Sequence, residues 1–256
     1  MNRIALFSVL AIAVVVGVIF GAYGNFDINL SSWFFDWQSM LFPIAGQLWE
    51  QHSRDAARLI ITATAAVPGV AVFGKLLLPH RRMFIGGRTA LFMLLTLAIG
   101  PGVVANLMLK DHWHRARPID ILYFGSNDRF TPWWDPRGTC PNNCSFIAGE
   151  PSGAFWTMAA AAMVPPQWRV PAYGAALIFG AAIGVLRMAA GGHFFTDVVF
   201  AGVFMYLVLW MFHGLIFRWR ATALDDDAIE RALAWPGETI LRALSRRTGR
   251  KTDQQS

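Results

Sequence analysis

Six apolar runs dominate this chain, at about residues 4–23, 57–79, 88–109, 152–168, 170–190 and 195–217. Each approaches the ~20 residues that an α-helix needs to cross the hydrocarbon of a bilayer. A span of that kind closes its backbone hydrogen bonds within itself, where no water can reach them. The pattern predicts an all-α fold, a polytopic membrane bundle of about six transmembrane helices. Pro68 interrupts one run, and Gly180 and Gly184 stud another. Small residues let membrane helices approach closely, so these glycines predict a packed bundle over isolated anchors. The first run is longer than a typical signal-peptide core and no small-x-small cleavage site follows it, which predicts an uncleaved helix.

Six spans put both termini on one side of the membrane. Arg3, the cluster His80-Arg81-Arg82, Arg169, Arg218 and Arg220 share that side, which the positive-inside rule makes cytoplasmic. Lys110 to Glu150 and Arg187 to Asp197 then share the opposite, outer face. That face also carries Arg54, Arg58, Arg115, Arg129 and Arg137, a surface suited to anionic headgroups. Residues 1–220 form the membrane domain, divided into N-terminal spans with an outer interfacial segment (1–86) and a core (87–217). Residues 221–256 form a cytoplasmic amphipathic and basic tail.

Composition sharpens this picture. The 256 residues are 55% hydrophobic with mean hydropathy +0.42, too apolar for an ordinary soluble domain, and the net charge is +6. Trp33, Phe34, Phe35, Trp37 and Trp49 crowd the first outer segment, a density that reads as an interfacial belt or a short helix lying on the membrane. The second outer segment, 110–150, is long and rich in Pro, Gly and Asn, and loops of that length are often functional. In the tail, Leu224-Asp-Asp-Asp-Ala-Ile-Glu230 opens with acids suited to a helix N-terminus. Trp235-Pro236-Gly237 is expected to break that helix. A second short one is expected to end in Arg246-Arg247-Thr-Gly-Arg250-Lys251, a basic end that touches anionic lipid.

The candidate chemistry lies in two stretches of the outer face. In Lys110-Asp-His-Trp-His-Arg-Ala-Arg117-Pro118, two cations seven residues apart fall on one face of a helix, two turns from each other. In Arg187-Met-Ala-Ala-Gly-Gly-His193-Phe-Phe-Thr-Asp197, the histidine and the aspartate are four apart, neighbours on a helix. A carboxylate beside an imidazole fixes its tautomer and leaves the other ring nitrogen free to attack. Three cations and one oriented histidine suit phosphoryl transfer through a phosphohistidine.

These spacings resemble the first and third signature motifs of the type 2 phosphatidic acid phosphatase (PAP2) superfamily: Lys, six residues, Arg-Pro, then Arg, five residues, His, three residues, Asp. The resemblance covers roughly residues 87–217. It implies that Lys110, Arg117 and Arg187 clamp a phosphate, that His193 attacks phosphorus and that Asp197 orients it. The family usually has Ser before the arginine of the third motif, where this chain has Leu186.

The middle motif of the family, Pro-Ser-Gly-His, has a histidine as general acid. A literal match is Pro151-Ser152-Gly153-Ala154, with alanine in place of the histidine. The alternative register sets Ile147-Ala148-Gly149-Glu150 on the motif, keeping the preceding Ser145-Phe146 aligned. It lies at a helix start, where backbone N–H groups such as that of Gly149 can bind a phosphate, with Pro151 suited to the first helical position. Glu150 then stands in the place of the acid, with helix capping or pairing with an arginine as the other role for it. The segment Cys144-Ser-Phe-x-x-Gly-Glu150 is similar to a subgroup of bacterial members related to lipid A phosphatases. A free glutamic acid has a pKa near ~4.3 and is a poor proton donor at neutral pH. A stable leaving group needs little protonation, which favours the 1-phosphate of lipid A, with undecaprenyl diphosphate or phosphatidylglycerophosphate as alternatives.

The resemblance thus implies a lipid phosphatase on the outer face of a bacterial inner membrane, with the active site toward the periplasm. Its partners are the bilayer and a membrane lipid, with no nucleic acid and no cofactor. Oligomeric state is left open. Cys140 and Cys144 invite a disulfide in an oxidising compartment, with free thiols or a zinc pair as alternatives. His112 and His114 raise a metal alternative, although Lys110, Arg115 and Arg117 would repel a divalent ion. A catalytically silent membrane protein that binds an anionic lipid is the other reading.

Overall fold

The computed structural model describes the backbone of residues 3–222 and 224–252, and the side chains of 3–222 and 224–239. The regular secondary structure of the described residues is helical, and strand-like pairing is confined to two isolated bridges, Asp36 with Leu41 and Ile121 with Asp128. In chain order the helices are α1 (Arg3–Ala22), α2 (Asn25–Ser32), α3 (Leu48–Leu77) and α4 (Gly87–Lys110). They continue as α5 (Gly149–Trp156), α6 (Met158–Met163), α7 (Pro166–Ala189), α8 (Phe195–Arg218) and α9 (Asp226–Thr252).

Five helices, α1, α3, α4, α7 and α8, are long and apolar enough to cross a membrane. The sixth expected span, 152–168, is instead the short pair α5 and α6. The Thr157 hydroxyl donates back to the Ala154 carbonyl at 2.6 Å at their junction, a bond that bends helices. Pro165 and Pro166 then stop α6, because a residue before proline is pushed out of the α region. At 1.5 Å per residue the pair is shorter than the hydrocarbon is thick. It is lined almost wholly by buried residues, so protein covers what lipid otherwise would. Its position is the centre of the bundle. Phe155 packs where Gly180 of α7 has no side chain, and Val198 of α8 packs at Gly184 in the same way. These close approaches are the work expected of the small residues.

The two ends of the bundle differ. At one end, Lys75 of α3 pairs with Glu230 of α9 at 3.3 Å, and Asp226 accepts from the Arg88 backbone and guanidinium at 2.8 and 3.0 Å. The tail therefore docks back onto the membrane domain. The expected break at Trp235-Pro236-Gly237 does not occur, and α9 runs through it. Gly237 meets the Leu76 carbonyl so closely that a Cβ there would collide with it. The glycine serves helix docking, where its composition reads as a stop. Arg246, Arg247, Arg250 and Lys251, expected to touch lipid, have side chains outside the described residues.

The other end gathers the N-terminus of α3, the C-terminus of α4, the start of α5, the end of α7 and the start of α8. Pro101 interrupts the hydrogen-bond ladder of α4, and wider π-helical turns carry the chain from Ala98 to Lys110. Such turns re-aim side chains and recur at functional sites. The aromatic segment before α3 folds over this end. Phe35 and Phe42 pack on Phe124 at 4.8 and 5.2 Å between ring centroids, while Trp33 and Trp37 stay exposed.

Candidate active site

His193 is buried between α7 and α8, ahead of the helix that carries Asp197. The expectation of two helical neighbours is therefore corrected, since α8 begins at Phe195 and Asp197 sits in its first turn. The Asp197 carboxylate accepts from the Phe194 backbone N–H at 2.8 Å, an N-terminal capping contact. His193 Nδ1 lies 2.8 Å from the Ser145 carbonyl oxygen and 3.8 Å from Asp197 Oδ2. A carbonyl only accepts, so Nδ1 carries the proton and Nε2 is left with its lone pair. Burial pushes the His193 pKa below the ordinary histidine value, against the opposing pull of Asp197.

Asp197 does more than face the histidine. Arg115 and the Ser145 hydroxyl both donate to it. Arg115 is fully buried and also pairs with Asp27 at 2.8 Å, donates to Thr196 Oγ1 at 2.8 Å, and packs its guanidinium on Phe194 at 4.3 Å. Asp27 accepts from the Thr196 backbone and hydroxyl at 3.1 and 2.6 Å. Burial pushes the Asp27 carboxyl up despite the Arg115 guanidinium beside it. This network fastens α2, the 110–150 segment and α8 together directly behind His193. Sequence reading treats Arg115 as a surface cation and leaves Asp27, Ser145 and Thr196 unassigned.

Lys110 ends α4, and Arg117 lies beyond the helix in extended backbone at φ −81° and ψ 159°. The expected common helix face is thus corrected: Pro118 excludes the α conformation at Arg117. The fold still returns the two cations to one place, since Lys110 is close enough to Arg117, Glu150 and Arg187 for each to act on its charge. Arg117 donates to the Asn143 carbonyl at 2.6 Å. Gly149 opens α5 two residues ahead of Pro151, and a Cβ on it would stand 3.4 Å from Lys110 Nζ.

Arg187 lies in the last turn of α7 with its guanidinium packed against Gly192. Its Nη1 donates to the buried Glu50 at 3.0 Å. Its Nε lies 3.4 Å from Glu150 Oε2 without making a hydrogen bond. Glu150 accepts from Arg54 Nε at 3.1 and 2.9 Å, from Arg54 Nη2 at 2.8 Å and from Arg58 Nη2 at 2.6 Å. Burial would raise its pKa, but the arginines outweigh this and hold it at about 2. At neutral pH it is a carboxylate with no proton to give. Glu50, Arg54 and Arg58 recur every four residues on α3, a stripe that the sequence displays and that sequence reading passes over as outer-face charge.

The remaining residues frame this site. Cys140 and Cys144 are bonded, with Cα atoms 5.7 Å apart, just before Ser145. His114 Nδ1 lies 2.9 Å from the Cys140 carbonyl. In the literal register of the middle motif, Ala154 is fully buried and packs with Ala57 and Ile183, one turn into α5. The alternative register sets Glu150 among the arginines.

The chain is 39% identical over 128 residues to a lipid A 4'-phosphatase of Francisella tularensis subsp. novicida (strain U112), covering 50% of this chain and 58% of that protein. It is 35% identical over 104 residues to a lipid A 4'-phosphatase of Rhizobium leguminosarum, covering 41% of this chain and 45% of that protein. The match spans about half the length of these curated relatives. No solved structure matches. Residues 89–221, more than half of the chain and nearly all of the region from α4 to α8, match the PAP2 superfamily, and the chain belongs to that superfamily.

Proposed function

We propose that this protein is a membrane phosphatase that hydrolyses a phosphomonoester on a lipid A headgroup through a phosphohistidine. The observation that carries the reading is the placement of His193, whose Nδ1–H is held by the Ser145 carbonyl so that Nε2 is free to attack. Lys110, Arg117 and Arg187 clamp the equatorial oxygens of the phosphate, the main electrostatic resource of phosphoryl transfer. The Gly149 backbone at the start of α5 adds to that clamp. Nε2 forms the bond to phosphorus as the ester oxygen leaves and takes a proton from water, and a second water then releases phosphate and restores the imidazole. Asp197 acts through position, holding Ser145 and the first turn of α8. The arginines around Glu150 argue against a general-acid role for it, since a carboxyl held at about 2 has no proton at neutral pH.

The relatives named as lipid A 4'-phosphatases support the 4' position. An unprotonated leaving group favours the 1-phosphate, a glycosyl phosphate. Purified protein incubated with lipid A phosphorylated only at 4' or only at 1 separates the two. Phosphate release from the 4' compound is expected. Release from neither, nor from undecaprenyl diphosphate or phosphatidylglycerophosphate, would leave a protein that binds anionic lipid without cleaving it. The site is proposed to face the periplasm from the inner membrane, with the basic loop His80-Arg81-Arg82 on the cytoplasmic side.

A further inference from the structure

Arg54 and Arg58 lie on α3, outside residues 89–221, yet both reach across to Glu150 of α5. Arg54 meets that carboxylate as a fork, with Nε and Nη2 on its two oxygens. The fork of a guanidinium that grips a carboxylate also grips a phosphate. Arg187 reaches the same carboxylate at 3.4 Å, so the α3 arginines and the third-motif arginine converge on one anion. Beside them lies a cavity of about 270 Å³. Arg54, Arg58, Asn106, Lys110 and Glu150 supply its polar lining, and Ala57 and Ile61 its apolar lining. A cavity lined by both cations and hydrocarbon fits the phosphate end of an amphiphile.

We propose that Arg54 and Arg58 of α3 form an additional phosphate-binding subsite, for which the Glu150 carboxylate competes with an incoming phosphate dianion. Glu150 is on this reading an internal anion that sets phosphate affinity. The inference deepens the phosphatase reading and rests on it for the identity of the anion, while its test reads binding without turnover.

The test titrates inorganic phosphate into detergent-purified His193→Ala protein by calorimetry, with the further changes Arg54→Gln, Arg58→Gln, Arg54→Lys or Glu150→Gln. A second arm replaces free phosphate with dioleoyl phosphatidic acid in micelles, against micelles of a neutral lipid, to separate a lipid-borne phosphate from the free ion. Each Arg→Gln change should weaken binding on the order of tenfold, the loss of a charge-assisted hydrogen bond. Arg54→Lys should recover only part of it, because the fork is gone. Glu150→Gln should tighten binding several-fold, the result that a purely structural ion pair would not give. Arg58 is 55% exposed, so its replacement keeps the test open if Arg54 variants fail to fold. Unchanged phosphate affinity in a folded Arg58→Gln protein, or weaker binding in Glu150→Gln, overturns the subsite. If wild-type protein releases no phosphate from any lipid while these binding shifts appear, the phosphatase reading falls and the subsite stands. If it turns over lipid while the shifts are absent, the reverse holds.

Discussion

The Ser145 carbonyl oxygen stands 2.8 Å from His193 Nδ1, nearer than the carboxylate of Asp197 at 3.8 Å. A main-chain acceptor therefore sets the tautomer of the proposed nucleophile. Asp197 serves chiefly as the hub of a buried network that fixes where that carbonyl lies. This relationship separates two kinds of loss. His193→Ala should remove the attacking atom and lower turnover by roughly 10³-fold or more, with the thermal midpoint in detergent little changed. Acid-labile, alkali-stable labelling by a ³²P-lipid should vanish with it. Near-normal turnover in His193→Ala would end the phosphohistidine reading.

Arg115 should report on stability. It is fully buried between Asp27 and Asp197, and removing one partner of a buried ion pair leaves charge uncompensated, at a cost of about 3–5 kcal/mol. Arg115→Met should lower the thermal midpoint steeply and reduce folded yield. Lysine should rescue it only in part, because Arg115 also donates to Thr131 and Thr196 in directions that only a guanidinium covers. Wild-type stability in Arg115→Met would show the network to be dispensable.

The spans were legible because each must satisfy its own backbone in lipid, and the apolar runs locate five of them to within a few residues apart from the start of α3. The paired α5 and α6 were not, since a hydropathy run cannot distinguish a lipid-facing span from a short helix covered by protein. The spacing of Lys110 and Arg117 predicted a shared helix face that the structure does not have. Pro118 ends the helical argument, and the loop returns Arg117 instead. Asp27 and Arg115 stayed hidden because their ion pairs span 88 and 82 residues of chain, Arg115 with Asp27 and with Asp197. Local spacing carries no trace of such pairings.

The Glu150 cluster should be visible in acid. A carboxyl whose folded pKa lies at about 2, below the ordinary 4.5, adds stability that is fully present above about pH 4.5 and lost as pH falls toward 2. The thermal midpoint of wild type minus that of Glu150→Gln should be flat above that window and shrink within it. The group is partly exposed, so salt should diminish the difference. A difference independent of pH would mean that the ion pairs do not form.

Turnover should survive chelation. On the proposed clamp, Lys110, Arg117 and Arg187 meet the phosphate charge, so neutralisation requires no divalent ion. Activity measured after dialysis against EDTA should match the untreated sample. Loss restored by added zinc would promote His112 and His114 to ligands and displace the histidine mechanism.

Ala154→His tests the register of the middle motif. If Pro151-Ser152-Gly153-Ala154 were the working motif, a histidine would restore a missing acid and raise turnover, most of all on an alkyl monophosphate whose leaving group needs a proton. The packing forecasts the opposite. Ala154 has no exposed surface and sits against Ala57 and Ile183, with Ser152 already bonded back to the Ala148 carbonyl at 2.8 Å. An imidazole there overfills the contact between α3, α5 and α7, at a cost of about 1–3 kcal/mol, and buries a polar ring. Folded yield and turnover should both fall, equally for an alkyl monophosphate and a diphosphate, because the change acts through the fold. A gain in turnover on the monophosphate alone would return the motif to its literal register and remove Glu150 from the site.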